Sequence, residues 1–194
     1  MRIVAGEWRG RPLRAPKGAA TRPTSDRVRE ALFSSLASML GPDLERRAVL
    51  DAFGGTGALG LEALSRGASH AVFVESDRVA RETLAANIAV LGAGARARVV
   101  AGDAFALAPR GPVAGGPFGL LLVDPPYRID SACVTKLLVD LVSTGSVQRG
   151  AVVVCEHAAD SEVSWPEGFD ERVNKRYGST GVRIAVYSQK DDSA

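Results

Sequence analysis

Asp51-Ala-Phe-Gly-Gly-Thr-Gly-Ala-Leu-Gly60 stands where an apolar run, Ala48–Phe53, gives way to a helical one, Ala58–Ser65. Glycines in such a turn let the backbone approach a ligand without Cβ clashes. The spacing Gly55-x-Gly57-x-x-Gly60 matches the dinucleotide fingerprint, but any nucleoside-binding first turn can produce it. The acids around it narrow the reading. Glu75 closes the next strand, where such folds place an acid on the ribose hydroxyls. Asp103, in Gly102-Asp103-Ala104, follows a third strand and suits an adenine amino group. Asp51, at the mouth of the turn, would repel a pyrophosphate and suit the ammonium and sulfonium of S-adenosylmethionine. The expected cofactor contacts are Asp51, Phe53, Gly55, Gly57, Glu75, Ser76, Gly102, Asp103 and Ala104. The competing structural role for Glu75 and Asp103 is helix capping.

Outward from this turn the chain alternates strand and helix. His70–Val74 predicts a second strand, and Asp77 caps a helix that Gly92 closes. Arg98–Ala101 predicts a third strand. A Gly/Pro-rich loop, Arg110–Pro117, leads to a fourth at Phe118–Val123. Residues 131–142 read as a helix with Val134, Leu137, Leu138 and Leu141 on one side, and Ala151–Cys155 as a fifth strand. Two more strands, 171–177 and 182–188, flank Gly178-Ser179-Thr180-Gly181, a hairpin signal. Alternation of this kind predicts an α/β fold with a mostly parallel sheet covered on both faces, and the last hairpin puts one antiparallel strand into it. Upstream, Arg2–Ala5 and Gly10–Leu13 predict a small hairpin. A helix starts near Thr24, Ser25 or Asp26 and stops at Gly41-Pro42. The expected organisation is a basic hairpin and linker at 1–23, the main domain at 24–189 and a tail at 190–194.

Asp124-Pro125-Pro126-Tyr127 directly follows the fourth strand. Two consecutive prolines fix their own backbone and restrict the residue before each. The result is a stiff corner at the carboxyl end of a strand, where open α/β sheets bind ligands. Its residue types match an exocyclic base amine, which is planar and a poor nucleophile. The Asp124 carboxylate and the Pro125 carbonyl can accept its two N–H groups and turn its lone pair outward. Those bonds strengthen as positive charge develops on nitrogen, as barrier lowering requires. Tyr127 offers a face for a splayed base. Asp124, Pro125, Pro126 and Tyr127 are the expected catalytic residues, and no metal is needed.

The composition allows this chemistry and excludes others. The chain has 194 residues, 46% hydrophobic and 24% charged, which suits one globular domain. No apolar run approaches a membrane span, and no signal peptide is evident. Cys133 and Cys155 make neither a disulfide framework nor a metal cluster, in keeping with a reducing cytoplasm. The net charge of +2 is unevenly spread: residues 1–30 hold eight basic and three acidic side chains. A basic arm on a near-neutral body suits a polyanion. Arg2, Trp8, Arg9, Arg11, Arg22 and Arg27 are the candidate RNA contacts; Trp8 could equally pin the hairpin to the body.

These residues resemble the RsmD family, the 16S rRNA (guanine-N2)-methyltransferases. The likeness covers nearly the whole chain: Arg2-Ile-Val-Ala-Gly6 with Arg9-Gly-Arg11, Arg22-Pro-Thr24, Arg29-Glu30-x-x-Phe33, the Asp51–Gly60 turn running on to Glu62-Ala-Leu-Ser-Arg-Gly67, and Asp124-Pro-Pro-Tyr127. It departs from the family at Gly55 and in the Gly/Pro content of Arg110–Pro117. The resemblance implies a class I S-adenosylmethionine-dependent methyltransferase (Rossmann-like) fold with seven strands, the last antiparallel, plus the N-terminal hairpin and helix. It implies S-adenosylmethionine as cofactor and methyl transfer to guanine N2 of 16S rRNA. It further implies a small-subunit particle as partner; a monomer is the default expectation, and the composition suits the cytoplasm. Alternatives are an adenine or cytosine amino-methyltransferase, a protein glutamine methyltransferase, a nicotinamide-dependent oxidoreductase and a silent RNA-binding module. The oxidoreductase would leave Asp124–Tyr127 without a role.

Overall fold

The computed structural model describes residues 1–15, 26–126, 128–161 and 163–188. Seven strands form one sheet in the order β3-β2-β1-β4-β5-β7-β6. The strands are β1 (Ala48–Asp51), β2 (His70–Glu75), β3 (Ala97–Ala101), β4 (Phe118–Val123), β5 (Val147–Ala158), β6 (Phe169–Tyr177) and β7 (Thr180–Tyr187). The helices are α1 (Asp26–Leu40), α2 (Ala58–Ser65), α3 (Arg78–Leu91), the short α4 (Ala104–Leu107) and α5 (Ser131–Ser143). Neighbours β1/β2, β2/β3 and β4/β5 are parallel, whereas β7 runs antiparallel to both β5 and β6. The predicted single reversed strand is thus present, lying between β5 and the edge strand β6. Residues Met1–Asp103 and Ala104–Ala194 form two compact units.

In the first unit, β2 reads His-Ala-Val-Phe-Val-Glu, with the four middle residues buried. Such continuous apolar runs belong to strands covered on both faces. Asp77 caps α3 by accepting from Ala80 N at 2.8 Å, and Gly92 ends that helix in the left-handed conformation. β1 ends at Asp51, two residues before the predicted Phe53, because the chain turns there. The N-terminal segment is held as a hairpin by Ile3 N–Arg11 O, Gly10 N–Ile3 O and Leu13 N–Met1 O, with one isolated bridge at Arg2/Pro12 in place of the two predicted strands. Thr24 and Ser25, two of the three predicted helix starts, lie outside the described residues; α1 begins there with Asp26.

The segment 1–15 is stapled to helices by buried polar side chains. Glu62 of α2, fully buried, accepts from Val4 N at 2.7 Å, Ala5 N at 3.0 Å and Arg66 Nε at 2.8 Å. Arg29 of α1 is also fully buried; its Nε lies 3.6 Å from Glu62 Oε2, and its Nη2 donates to Arg2 O and Asp26 Oδ1. Ser65 donates to Ala5 O and accepts from Trp8 N. A Cβ on Gly6, whose φ is +85°, would lie 1.8 Å from Ser65 O, so only glycine permits this approach.

In the second unit, β4 is buried at all six positions. α5 presents Val134, Leu137, Leu138 and Leu141 to the interior, as its spacing predicts, and Asp130 caps it through Ala132 N. β5 extends well beyond the predicted Ala151–Cys155. Its first turn of chain, Gln148-Arg149-Gly150, is exposed, and its register against β4 shifts between Phe118 and Leu120. Polar residues there hid the strand from an apolar-run reading. Among the described residues no helix is long and apolar enough to cross a membrane.

Candidate cofactor and catalytic site

The first unit gathers three carboxylates at the carboxyl ends of neighbouring parallel strands: Asp51 ends β1, Glu75 ends β2, and Asp103 follows β3. Asp51 is only 2% exposed, and its Oδ2 accepts from Gly60 N at 3.1 Å, which caps the start of α2 from a distance. Burial pushes its carboxyl from 3.8 up to about 7; the Gly60 and Phe53 amides pull the other way, and the charge of Glu75 adds to the rise. Glu75 is half-buried and grips the backbone twice, accepting from Gly55 N and from Asp77 N, each at 2.7 Å. Each of its oxygens keeps a second lone pair. Gly102 N donates to Glu75 O at 3.1 Å and ties the end of β3 to that of β2. Ser76 and Asp103 are exposed, Phe53 is half-buried and Ala104 is buried.

The glycines of the turn divide by function. A Cβ on Gly57, with φ of +84°, would sit 2.4 Å from Leu84, and one on Gly60 would sit 2.3 Å from the Phe73 ring. Both serve close internal packing. Gly55, with φ of +52°, has only Phe53 O within 4 Å of such a Cβ, so it alone of the three faces open space.

In the second unit, Asp124 leaves β4 half-buried, Pro125 is buried and Pro126 exposed. Pro126 O accepts from Ile129 N at 2.9 Å, ahead of α5. Tyr127 lies outside the described residues. Cys155 stands beside Val123 in register; burial, with the Asp124 charge next, pushes its thiol up to about 12, which removes it as a nucleophile. A small crevice beside this corner is lined by Pro125, Pro126, Ile129, Cys155 and His157.

The candidate RNA residues separate on inspection. Arg2, Arg9 and Arg27 are exposed and line a cavity of about 310 Å³ with Gly10, Asp26 and Glu30. Arg11 donates to Val90 O at 2.7 Å. Arg22 lies outside the described residues. Of the two roles open to Trp8, its surroundings favour pinning the hairpin: it is 6% exposed, its N donates to Ser65 Oγ, and the Arg96 guanidinium covers its ring at 5.0 Å. Arg29, Glu62, Ser65 and Asn87, which hold this region together, carried no predicted site role. Their partners in the N-terminal segment are backbone groups far away in sequence, which no local spacing signals.

The family described as Conserved hypothetical protein 95 matches residues 1–186. Bacillus subtilis YlbH is 35% identical over 193 residues, 98% of this chain and 100% of that one. Ribosomal RNA small subunit methyltransferase D of Escherichia coli K12 is 46% identical over 128 residues, 66% of this chain and 61% of that one. The solved structure of yhhF from Escherichia coli superposes with a TM-score of 0.83 at 36% identity, covering 98% of this chain and 99% of that one. The strand order with its reversed β7 is that of class I S-adenosylmethionine-dependent methyltransferases. With the glycine turn, its three carboxylates and the acidic diproline corner already in place, these matches make the chain a member of the RsmD family.

Proposed function

We propose that this protein transfers a methyl group from S-adenosylmethionine to the exocyclic N2 amine of a guanine in the RNA of the small ribosomal subunit. The observation that carries the reading is the Asp124-Pro125-Pro126 corner at the carboxyl end of the fully buried strand β4. In doubly wound sheets ligands bind outside the carboxyl ends of the strands. β1 leads into the glycine turn; β4 leads into the corner.

The residues of the first unit fit the cofactor by their chemistry. Gly55 leaves the backbone open, Glu75 keeps lone pairs for ribose hydroxyls, and Asp51 is a buried acid in need of a cation. S-adenosylmethionine supplies an electrophilic methyl on a sulfonium. Asp51 would pair with its ammonium, a positive charge that favours the carboxylate form of a carboxyl whose pKa burial raises. Asp103 suits the adenine amine. In the second unit, the Asp124 carboxylate and the Pro125 carbonyl accept the two N–H groups of the target amine. Asp124 then stabilises the positive charge that develops on that nitrogen and is placed to hold its departing proton. Tyr127, by its residue type, stacks on the base. The rigid diproline backbone fixes both acceptors before the base arrives, so alignment is already set at the moment of transfer.

The relative named ribosomal RNA small subunit methyltransferase D supports ribosomal RNA as substrate, and the choice of guanine N2 rests on the family resemblance. Arg2, Arg9 and Arg27 supply the phosphate contacts. A cytoplasmic monomer working on an assembled small-subunit particle completes the reading. Separate calorimetric titrations with S-adenosylmethionine and NAD test it. S-adenosylmethionine should bind and NAD should not; binding of NAD alone would end the proposal.

A further inference from the structure

Asn87 sits on the inner face of α3 beside Leu84, Ile88 and Leu91 and is 1% exposed. A buried amide must be satisfied, and this one is satisfied by two distant segments at once. Its Oδ1 accepts from Arg14 N at 2.8 Å, and its Nδ2 donates to Arg14 O at 3.1 Å. The same Nδ2 donates to Thr56 O at 2.9 Å. The first two bonds take up both the N–H and the C=O of Arg14, as a neighbouring strand would. The third holds the glycine turn between Gly55 and Gly57. Glu75 grips the same turn one residue earlier, through Gly55 N. The N-terminal segment reaches the turn at a second point, where Met1 Sδ lies 3.9 Å from Thr56 Oγ1. A displacement of Arg14 therefore cannot leave Thr56 unmoved unless a buried amide gives up a partner, at a penalty typical of unsatisfied buried polar groups.

We propose that Asn87 is a positioning residue that couples RNA held by the basic N-terminal segment to cofactor held by the glycine turn, so that each ligand tightens the other. The inference rests on the function proposed above and adds a residue and a linkage to it. Asn87 touches neither ligand. It acts by making one rigid body of the segment carrying Arg2, Arg9 and Arg14 and the turn carrying Gly55. Linkage requires the effect to be reciprocal.

The test measures affinity for small ribosomal subunits from a strain lacking this protein, with and without saturating S-adenosylhomocysteine. The wild type should bind about fivefold or more tightly with it, the lower range of ordinary coupling. Asn87→Leu should bind equally either way. Asn87→Asp, nearly isosteric, keeps the acceptor for Arg14 N but sets a carboxylate oxygen against the Arg14 and Thr56 carbonyls; it should lose the coupling too. A merely structural Asn87 would lower both affinities and leave their ratio unchanged, which overturns the proposal. So does a wild type without coupling. Hydrogen exchange on the wild type needs no variant to fold: S-adenosylhomocysteine should slow exchange of the Arg14 amide, and unchanged exchange there refutes the linkage. Failure of the wild type to bind S-adenosylhomocysteine at all would instead remove the function on which the proposal stands.

Discussion

Replacing Asp51 by Asn should stabilise the protein at pH 8 while weakening its hold on S-adenosylmethionine. The carboxyl of Asp51 is buried, and its pKa stands at about 7 against 3.8 ordinarily. A folded-state value above the unfolded one means that the folded chain binds this proton more tightly. The stability contribution is complete below about 4 and is lost as pH rises through about 7. The full rise corresponds to about 4 kcal/mol. Asn keeps an oxygen for Gly60 N but replaces the second oxygen with a donor, so about 1 kcal/mol is deducted. The net gain at pH 8 is roughly 3 kcal/mol, or roughly 6–12 °C in melting temperature for a chain of this size. At pH 5 the folded carboxyl is protonated but the unfolded one is largely ionised, so the wild type has lost only about 1.5 kcal/mol and the variant's lead should shrink to less than about 1 kcal/mol. Melting followed by circular dichroism at both pH values decides the matter. A variant no more stable than wild type at pH 8, or equally more stable at both, would refute the buried-charge argument. In calorimetry the variant should bind S-adenosylmethionine about tenfold or more weakly, because a charge-assisted contact is gone.

Glu62→Gln should destabilise the protein by about 3–5 kcal/mol, the usual effect of removing one partner from a buried ion pair; a melting temperature unchanged from wild type would show that the N-terminal segment is held by other means. Changing Arg2, Arg9 and Arg27 together to Ala should weaken binding to small subunits and lower the slope of log affinity against log salt by about 2. An unaltered slope would exclude these three as phosphate contacts.

How much of this the sequence revealed follows from what kind of interaction fixes each part. The Asp51–Gly60 turn and the Asp124–Pro126 corner were legible because local chemistry dictates them: a positive φ wants glycine, and a diproline admits one backbone path. β2, β4, α3 and α5 are legible from apolar spacing and, for α3, from the caps Asp77 and Gly92. The docking of residues 1–15 was not. Glu62 and Asn87 look like ordinary helix residues, and their partners lie 58 and 73 residues away. Trp8 shows the same limit: its exposure depends on Ser65 and Arg96, not on its neighbours in sequence. The apolar run stops short of the true start of β5 because Gln148, Arg149 and Gly150 are exposed and lie where the register against β4 shifts.

The most direct measurement is methyl transfer from labelled S-adenosylmethionine to small ribosomal subunits purified from a strain lacking this protein, followed by mass spectrometry of the RNA nucleosides. The wild type should place the label in N2-methylguanosine, and Asp124→Ala should transfer none while still binding S-adenosylmethionine. Label on an adenine or cytosine amine, or full transfer by Asp124→Ala, would contradict the account.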